Sequence, residues 1–275
     1  MKPGLCFSTL GCVPYTLEQV IDLSRRFGIA SVEIRGLGGI LDNREIPAFS
    51  PDEIDNTARR FAEAGVSVAC LGTSCAFHKA EGLDGVIEEG TASAKIASRL
   101  SCPYIRVFGN KIARDVPRGP AIERVGKGTA ALAERIEGTG VSVLLETHGD
   151  FTDAETVGTA LGVAARRDVG LVWDVAHTEK AVPGSYAAFL DRFFPFIKHV
   201  HVKDFRDGGE LCLPGDGILP LREIIQLLAA RGYSGKISLE WEKKWHPELP
   251  PIETALDSFL TLVNSISAAP GACSE

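Results

Sequence analysis

Strand-like and helix-like segments alternate along nearly the whole chain, and this alternation limits the fold more than any other feature. Eight short runs of strand-forming residues are separated by segments in which apolar residues recur every three or four positions. The predicted strands are 5–9, 31–36, 67–72, 104–109, 142–148, 170–175, 197–205 and 236–242. The clearest predicted helices are 17–27, 51–64, 121–138, 221–231 and 252–266.

Strands that alternate with helices pair in parallel and are joined by right-handed crossovers. Two architectures use this pattern, the closed eight-stranded barrel and the open doubly wound sheet. No G-x-G-x-x-G or P-loop sequence follows the first strand, as an open nucleotide-binding sheet would often have. Eight repeats in a chain of this length fit closure. The sequence therefore predicts an α/β fold, a single-domain (β/α)8 TIM barrel over residues 1–266, followed by a flexible tail at 267–275.

Charge and cysteine content argue against several classes of function. The net charge is −7 and no basic stripe is present, so we expect neither nucleic acid nor an anionic membrane as a partner. The seven cysteines are odd in number and form no C-x-x-C pair, which argues against a disulfide framework or a thiolate zinc site. A reducing, cytoplasmic location is expected. The first residues do not resemble a signal peptide, and no apolar run has the length of a membrane span.

Polar side chains follow the last four predicted strands at the point where each strand ends. Catalytic groups of such barrels lie at this end of the strands, so these side chains would meet at one height. Three carboxylates and one imidazole form an oxygen-rich set that suits Mn²⁺, Mg²⁺ or Co²⁺ better than a thiolate zinc site does. The predicted metal ligands are Glu146, Asp174, His201 and Glu240.

Side chains two positions apart on a strand share a face, which adds further polar residues to the same end of the barrel. His199 competes with His201 as a ligand, and His201 is preferred because it lies nearer the strand end. Lys203 would contact substrate or, alternatively, form a structural ion pair with Asp204. His148 would be either a catalytic residue or a partner that holds a ligand carboxylate. The other candidate substrate contacts are Arg35, His78, Arg106 and Glu242. The residues expected only to pack, or to lie outside the site, are Trp173, Trp241, Trp245 and His246.

Five short sequences carry a family resemblance: in chain order, LLETHGD, VWDVAHT, HVHVKDF, GDG and SLEWE. Together they resemble the xylose isomerase-like TIM barrels, known as sugar phosphate isomerases and epimerases, over nearly the whole chain. The resemblance implies one divalent metal on the four predicted ligands, with Mn²⁺ expected first and Mg²⁺, Co²⁺ or Zn²⁺ as alternatives. It also implies that His177, in D-x-x-H after Asp174, contacts substrate near the metal. Family members are often dimers or tetramers, so a homo-oligomer is expected.

The resemblance implies proton abstraction next to a carbonyl of a small sugar-like substrate. The metal would bind the carbonyl and an adjacent hydroxyl and stabilise an enediolate, while Glu146 and Glu240 act as base and acid. The expected function is therefore a ketose isomerase or epimerase. The alternative is a dehydratase (lyase) of an inosose or dehydroshikimate-like compound, in which the same enediolate expels a hydroxyl group. His148 would then be the base, and His177 or Lys203 would assist the leaving hydroxide.

Two remote alternatives remain. The abasic-site endonuclease with this barrel binds three zinc ions and needs further histidines at the ends of strands three and four. This chain has Thr73 and Ser74, then Phe108 and Gly109, at those positions. A barrel that binds without catalysis is the other alternative. Acidic residues in the loop RDGGELCLPGDG, after strand seven, oppose a phosphate, so a phosphorylated substrate is not expected.

Overall fold

The strands close into a barrel in a computed structural model of the chain, which describes residues 4–267. The barrel strands are β1 Gly4–Ser8, β2 Ser31–Ile34, β3 Ser67–Ala76, β4 Tyr104–Phe108, β5 Ser142–Glu146, β6 Val169–Asp174, β7 Ile197–Val202 and β8 Lys236–Leu239. Each strand pairs in parallel with the next in sequence, and β8 pairs with β1 to complete the closure. The predicted TIM barrel is confirmed. The predicted tail lies, except for Ser267, outside the described residues.

Helices surround the barrel. Those in the described part of the chain are α1 Leu17–Phe27, α2 Ile54–Glu63, α3 Leu83–Arg99, α4 Arg118–Arg135, α5 Ala154–Ala164, α6 Val175–Ala181, α7 Tyr186–Phe193, α8 Leu221–Ala230 and α9 Ile252–Ser267. Helix α1 has the predicted bounds because Thr16 and Gln19 form a capping box at its start and Gly28 ends it at φ 64°. Among residues 4–267, no helix combines the length and the hydrophobicity that crossing a membrane requires.

Helix α2 begins later than the sequence predicts. Residues 51–53, which were expected to form the first turn of the helix, form a separate turn instead. The backbone carbonyl of Ser50 accepts hydrogen bonds from the amides of Glu53 and Ile54 across this turn. The regular helix therefore starts at Ile54, after the short 3-10 helix Pro47–Phe49.

The barrel strands have an apolar outer face and a polar inner face towards their carboxyl ends. In β7, Val202 packs in the hydrophobic core shared with the helices, whereas His199 and His201 face the interior. Glu33 of β2 accepts a hydrogen bond from Ser238 of β8, although β1 lies between these two strands. Only side chains that point into the barrel can meet in this way. The closed sheet thus gathers polar groups from distant parts of the sequence.

The loop after β7 is fixed by one buried carboxylate, that of Asp204. Its Oδ2 accepts hydrogen bonds from the amides of Gly215 and Gly217 at 2.9 and 3.1 Å. Its Oδ1 accepts two further backbone amides, at 3.0 and 3.2 Å. These bonds join the end of β7 to the G-D-G sequence and fix the backbone directly after Lys203. Asp204 is therefore a structural carboxylate. The sequence left open an ion pair between Asp204 and Lys203, but among the described residues Lys203 pairs with other carboxylates and not with Asp204.

The tight approach of Gly217 to Asp204 gives the first prediction. A Cβ at Gly217 would collide with the Asp204 carboxylate and the carbonyl oxygen of Phe205. We expect Gly217→Ala to lower the free energy of unfolding by about 1–3 kcal/mol, the usual cost of overpacking, measured by urea denaturation. The matched control is Gly208→Ala in the same loop, where a Cβ meets no atom within 4 Å. Equal urea midpoints for the two variants would contradict this role of the loop.

Candidate metal centre and active site

The four predicted ligands converge inside the carboxyl end of the barrel, hereafter its mouth. One ligand atom from each of them lies within 4.8 Å of the others, and all four side chains are buried. Nδ1 of His201 is central to this group: it lies 3.4 Å from Oε1 of Glu240, 3.8 Å from Oε1 of Glu146 and 4.0 Å from Oδ2 of Asp174. We call these four residues the ligand cluster.

The ligand cluster fits a divalent cation. Nδ1 of His201 is buried and makes no hydrogen bond to any described residue, an arrangement that is costly unless another partner is bound. Burial raises the pKa of Glu240 to about 7, and the nearby carboxylates of Glu146 and Asp174 act in the same direction. A bound cation would give Nδ1 of His201 a partner and would favour the ionised form of Glu240. Three carboxylates and one imidazole suit Mn²⁺, Mg²⁺ or Co²⁺, and they are also ligand types that Zn²⁺ accepts.

Lys203 is a cation in direct contact with this cluster. Its Nζ lies 2.8 Å from Oδ2 of Asp174, 2.6 Å from Oε2 of Glu240 and 2.5 Å from Oε1 of Glu242. Burial by itself would lower the pKa of Lys203, but the three carboxylates outweigh it and raise that pKa well above its usual value. Lys203 is therefore a charged ammonium group at the mouth.

Arg106 holds Glu146 in its ionised form. The Nε of Arg106 lies 3.0 Å from Oε2 of Glu146, and its guanidinium stacks 3.9 Å above the Phe108 ring. Burial would raise the pKa of Glu146, but the charges of Arg106 and His201 lower it to about 2. A carboxylate with so low a pKa is a good metal ligand and a weak base.

Arg35 lies beside Arg106 and carries a charge with no close carboxylate. Its guanidinium donates to the carbonyl of Leu41 at 3.4 Å and to Oγ of Ser74 at 3.2 Å, and within residues 4–267 it makes no ion pair. Burial, followed by the neighbouring charge of Arg106, lowers the pKa of Arg35 to about 10, so it remains protonated at neutral pH. A buried guanidinium of this kind gains stability from a polar ligand in the adjoining cavity.

Two histidines face each other at the mouth. The rings of His148 and His177 meet edge to face with centroids 4.7 Å apart, and Nε2 of His177 lies 3.4 Å from Nζ of Lys203. Burial lowers the pKa of both rings, that of His177 to about 4. Both are therefore neutral at pH 7 and can each accept a proton.

These groups surround a cavity of about 290 Å³ at the mouth. The predicted catalytic or substrate-contacting residues that line it are Arg35, Arg106, Glu146, His148, His177, Lys203, Glu240 and Glu242. His78 does not line it: the carbonyl of His78 accepts a hydrogen bond from Arg124 on α4, on the outer side of the barrel. Its role as a substrate contact therefore gains no support from the geometry.

Sequence reasoning missed Leu10, Phe108 and Trp245, which also line the cavity. Trp245 was expected to pack, but it is 54% exposed at the cavity rim. The available signal was its position in the loop after β8, on the functional side of the barrel. Trp173 and Trp241 are fully buried, as expected.

Glu33 is a further residue that the sequence analysis did not assign to the site. Its Oε2 accepts hydrogen bonds from Nε2 of His199 and Nε2 of His201, both at 2.9 Å, beneath the ligand cluster. His199 therefore contacts Glu33, while His201 reaches the other ligands. The available signal for Glu33 was an acidic residue within the strand-like run SVEIRG, since a buried charge requires a partner.

Comparison with known proteins gives a family match and several relatives. The profile of the xylose isomerase-like TIM barrel family matches residues 21–262. An inosose dehydratase from Serratia proteamaculans is 31% identical over 144 residues, which are 44% of this chain and 48% of that protein. The chain thus matches about half the length of this curated relative.

Two solved structures share the fold over nearly their whole length. The probable 3-DHS dehydratase AsbF of Bacillus anthracis superimposes with a TM-score of 0.79 at 16% identity, covering 96% of this chain and 99% of that one. The IOLI protein with a bound zinc atom also has a TM-score of 0.79, at 19% identity, covering 99% of this chain and 100% of that one. At these identities the similarity demonstrates the fold alone.

The ligand cluster leads to a prediction about metal content. We expect the purified chain to bind one Mn²⁺ or Zn²⁺ with a rise in unfolding free energy of about 2.7 kcal/mol at 100 times the dissociation constant. His201→Gln should weaken binding by more than about 100-fold, beyond the effect of outer-shell partners. Urea denaturation measures the unfolding free energy, and calorimetric titration with metal analysis measures the affinity and the number of ions bound. The matched control is His246→Gln, an exposed histidine outside the cavity. Equal metal affinity in the two variants would exclude the site.

Proposed function

Because this chain belongs to the xylose isomerase-like TIM barrel family, we propose that it is a metal-dependent dehydratase. Its substrate would be a small polyhydroxylated cyclic ketone of the inosose or dehydroshikimate type. The sequence analysis preferred an isomerase or epimerase, and the curated relatives favour its alternative, since they include several inosose dehydratases. Each of those matches covers 44% of this chain, so the support for the activity comes from the residues of the cavity.

The arrangement of His148, His177 and Lys203 beside the ligand cluster carries the proposal. The epimerase expected from the resemblance would use Glu146 and Glu240 as its base and acid, and Arg106 helps to lower the pKa of Glu146 to about 2. A neutral imidazole is the better proton acceptor at pH 7. His148 lines the cavity two residues beyond Glu146 and is neutral because burial lowers its pKa.

An ion held by Glu146, Asp174, His201 and Glu240 would supply Lewis-acid polarisation of the substrate carbonyl. His148 removes the proton from the carbon next to that carbonyl. The carbon–oxygen bond at the following position then breaks, a carbon–carbon double bond forms, and the departing hydroxide takes a proton from the ammonium of Lys203 to leave as water. His177 lies between the two groups and can return the proton from His148 to Lys203.

The remaining cavity residues bind and orient the ring. Arg35 and Arg106 line the cavity as donors, and Arg35 has no carboxylate of its own among the described residues. Trp245 offers an exposed aromatic face at the rim. Mn²⁺ is the first metal to test, and the zinc atom in the IOLI structure makes Zn²⁺ the second.

The direct test is the product. We expect the metal-loaded chain to convert an inosose or 3-dehydroshikimate to a conjugated product, seen as new ultraviolet absorbance, because elimination places a double bond next to the carbonyl. A ketohexose, incubated in parallel and separated by chromatography, should be returned unchanged. Epimerised ketohexose, without ultraviolet change on either cyclic ketone, would overturn the proposal in favour of the isomerase or epimerase.

The base gives a second test. We expect His148→Gln to lower kcat for dehydration by about 10²- to 10⁴-fold, the usual contribution of general base catalysis, with metal affinity changed only a few-fold. His246→Gln is again the control and should keep the unaltered rate. Full activity in His148→Gln would remove His148 from the mechanism.

A further inference from the structure

A buried hydrogen-bond group beneath the ligand cluster serves no step of the proposed reaction. It consists of Glu33 on β2, His199 and His201 on β7, and Ser238 on β8, all fully buried. Oε2 of Glu33 accepts from Nε2 of His199 at 2.9 Å, from Nε2 of His201 at 2.9 Å and from Oγ of Ser238 at 3.0 Å. One oxygen atom thus receives three hydrogen bonds.

These contacts determine which nitrogen of His201 carries hydrogen. A carboxylate oxygen can only accept, so Nε2 of His201 must be the donor of that bond. An imidazole that binds a metal is neutral: one nitrogen carries the hydrogen, and the other provides a lone pair. The lone pair therefore belongs to Nδ1, the atom that faces Glu146, Asp174 and Glu240 at 3.4–4.0 Å.

We propose that Glu33 is a positioning residue for the metal centre, which holds the Nε2–H of His201 and so makes Nδ1 the ligand atom. A carboxylate behind a ligating histidine fixes the orientation of its ring and increases its basicity. His199 helps to hold Glu33, since it donates to the same oxygen and its ring meets that of His201 edge to face, with centroids 5.4 Å apart. The proposal rests on the metal site and not on the reaction.

Glu33, His199 and His201 also lie close enough together to form a metal site of their own. A metal there would need Nε2 of His201, the nitrogen that Glu33 engages through a hydrogen. The geometry around Oε2 of Glu33 is satisfied by hydrogen bonds from three donors. We therefore infer that Glu33, His199 and His201 support the metal centre without binding a second metal, so that each chain binds one ion.

The first experiment replaces the carboxylate without changing its size. In Glu33→Gln the amide oxygen can still accept from both histidines, so the variant removes the negative charge behind His201 and with it the basicity that the carboxylate confers on that ligand. We expect the affinity for Zn²⁺ or Mn²⁺, measured by calorimetric titration, to fall by about 10- to 100-fold. The control is Ser238→Ala, which removes one donor and leaves the carboxylate on both histidines. Its affinity should change by less than about threefold, well short of the 10- to 100-fold effect of an outer-shell partner. Wild-type affinity in a folded Glu33→Gln variant would overturn the proposal.

The second experiment needs no variant of Glu33, so a failure of Glu33→Gln to fold leaves the proposal testable. Long-range ¹H–¹⁵N correlation spectra of the zinc-loaded chain, with His201 assigned by comparison with His201→Gln, identify its protonated nitrogen. We expect hydrogen on Nε2 and zinc on Nδ1. Hydrogen on Nδ1, or two zinc ions per chain, would overturn the proposal. Neither measurement involves substrate, so a chain without dehydratase activity would leave both results interpretable.

Discussion

The meeting of three carboxylates in one buried volume is the constraint on which the rest of the site depends. Buried like charges repel strongly, and here the pKa of Glu240 is raised to about 7, first by burial and also by its acidic neighbours. Lys203 and Arg106 reduce this cost through contacts of 2.6–3.0 Å with the carboxylates. They do not supply a partner for Nδ1 of His201, which a divalent ion would bind.

The neighbours of each buried group also determine whether that group can serve as a metal ligand or can accept a proton. Residues held close to cationic groups, such as Glu146 beside Arg106, are kept ionised and become weak bases. His148 and His177 line the cavity, and burial keeps their rings neutral by lowering the pKa of both. A family barrel with one metal can support isomerisation or elimination, because both begin with loss of a proton next to a carbonyl. Which group accepts that proton, and which returns it, depends on these neighbours.

Much of this site was predictable because strand periodicity is a local property. Reading which residue ends each predicted strand was sufficient to find Glu146, Asp174, His201 and Glu240, and alternation added His148 and Lys203. Strand periodicity did not indicate partners that lie far away in sequence. Asp204 accepts a hydrogen bond from the amide of Gly217, whereas Lys203 contacts Glu240 of the ligand cluster. Trp245 lines the cavity because its loop follows β8.

The sequence by itself determined the barrel, because eight alternating strand and helix patterns leave few ways to bury their apolar faces. It also determined that the polar residues lie at the carboxyl end of the barrel, because they end the predicted strands. Only the tertiary structure decided how the charges are paired. Glu33 is separated from His201 by 168 residues and from Ser238 by 205, yet closure of the barrel brings all three within hydrogen-bond distance. Periodicity fixes the face of the strand on which a residue lies. The partner across the interior depends on how all eight strands close, and no local pattern contains that information.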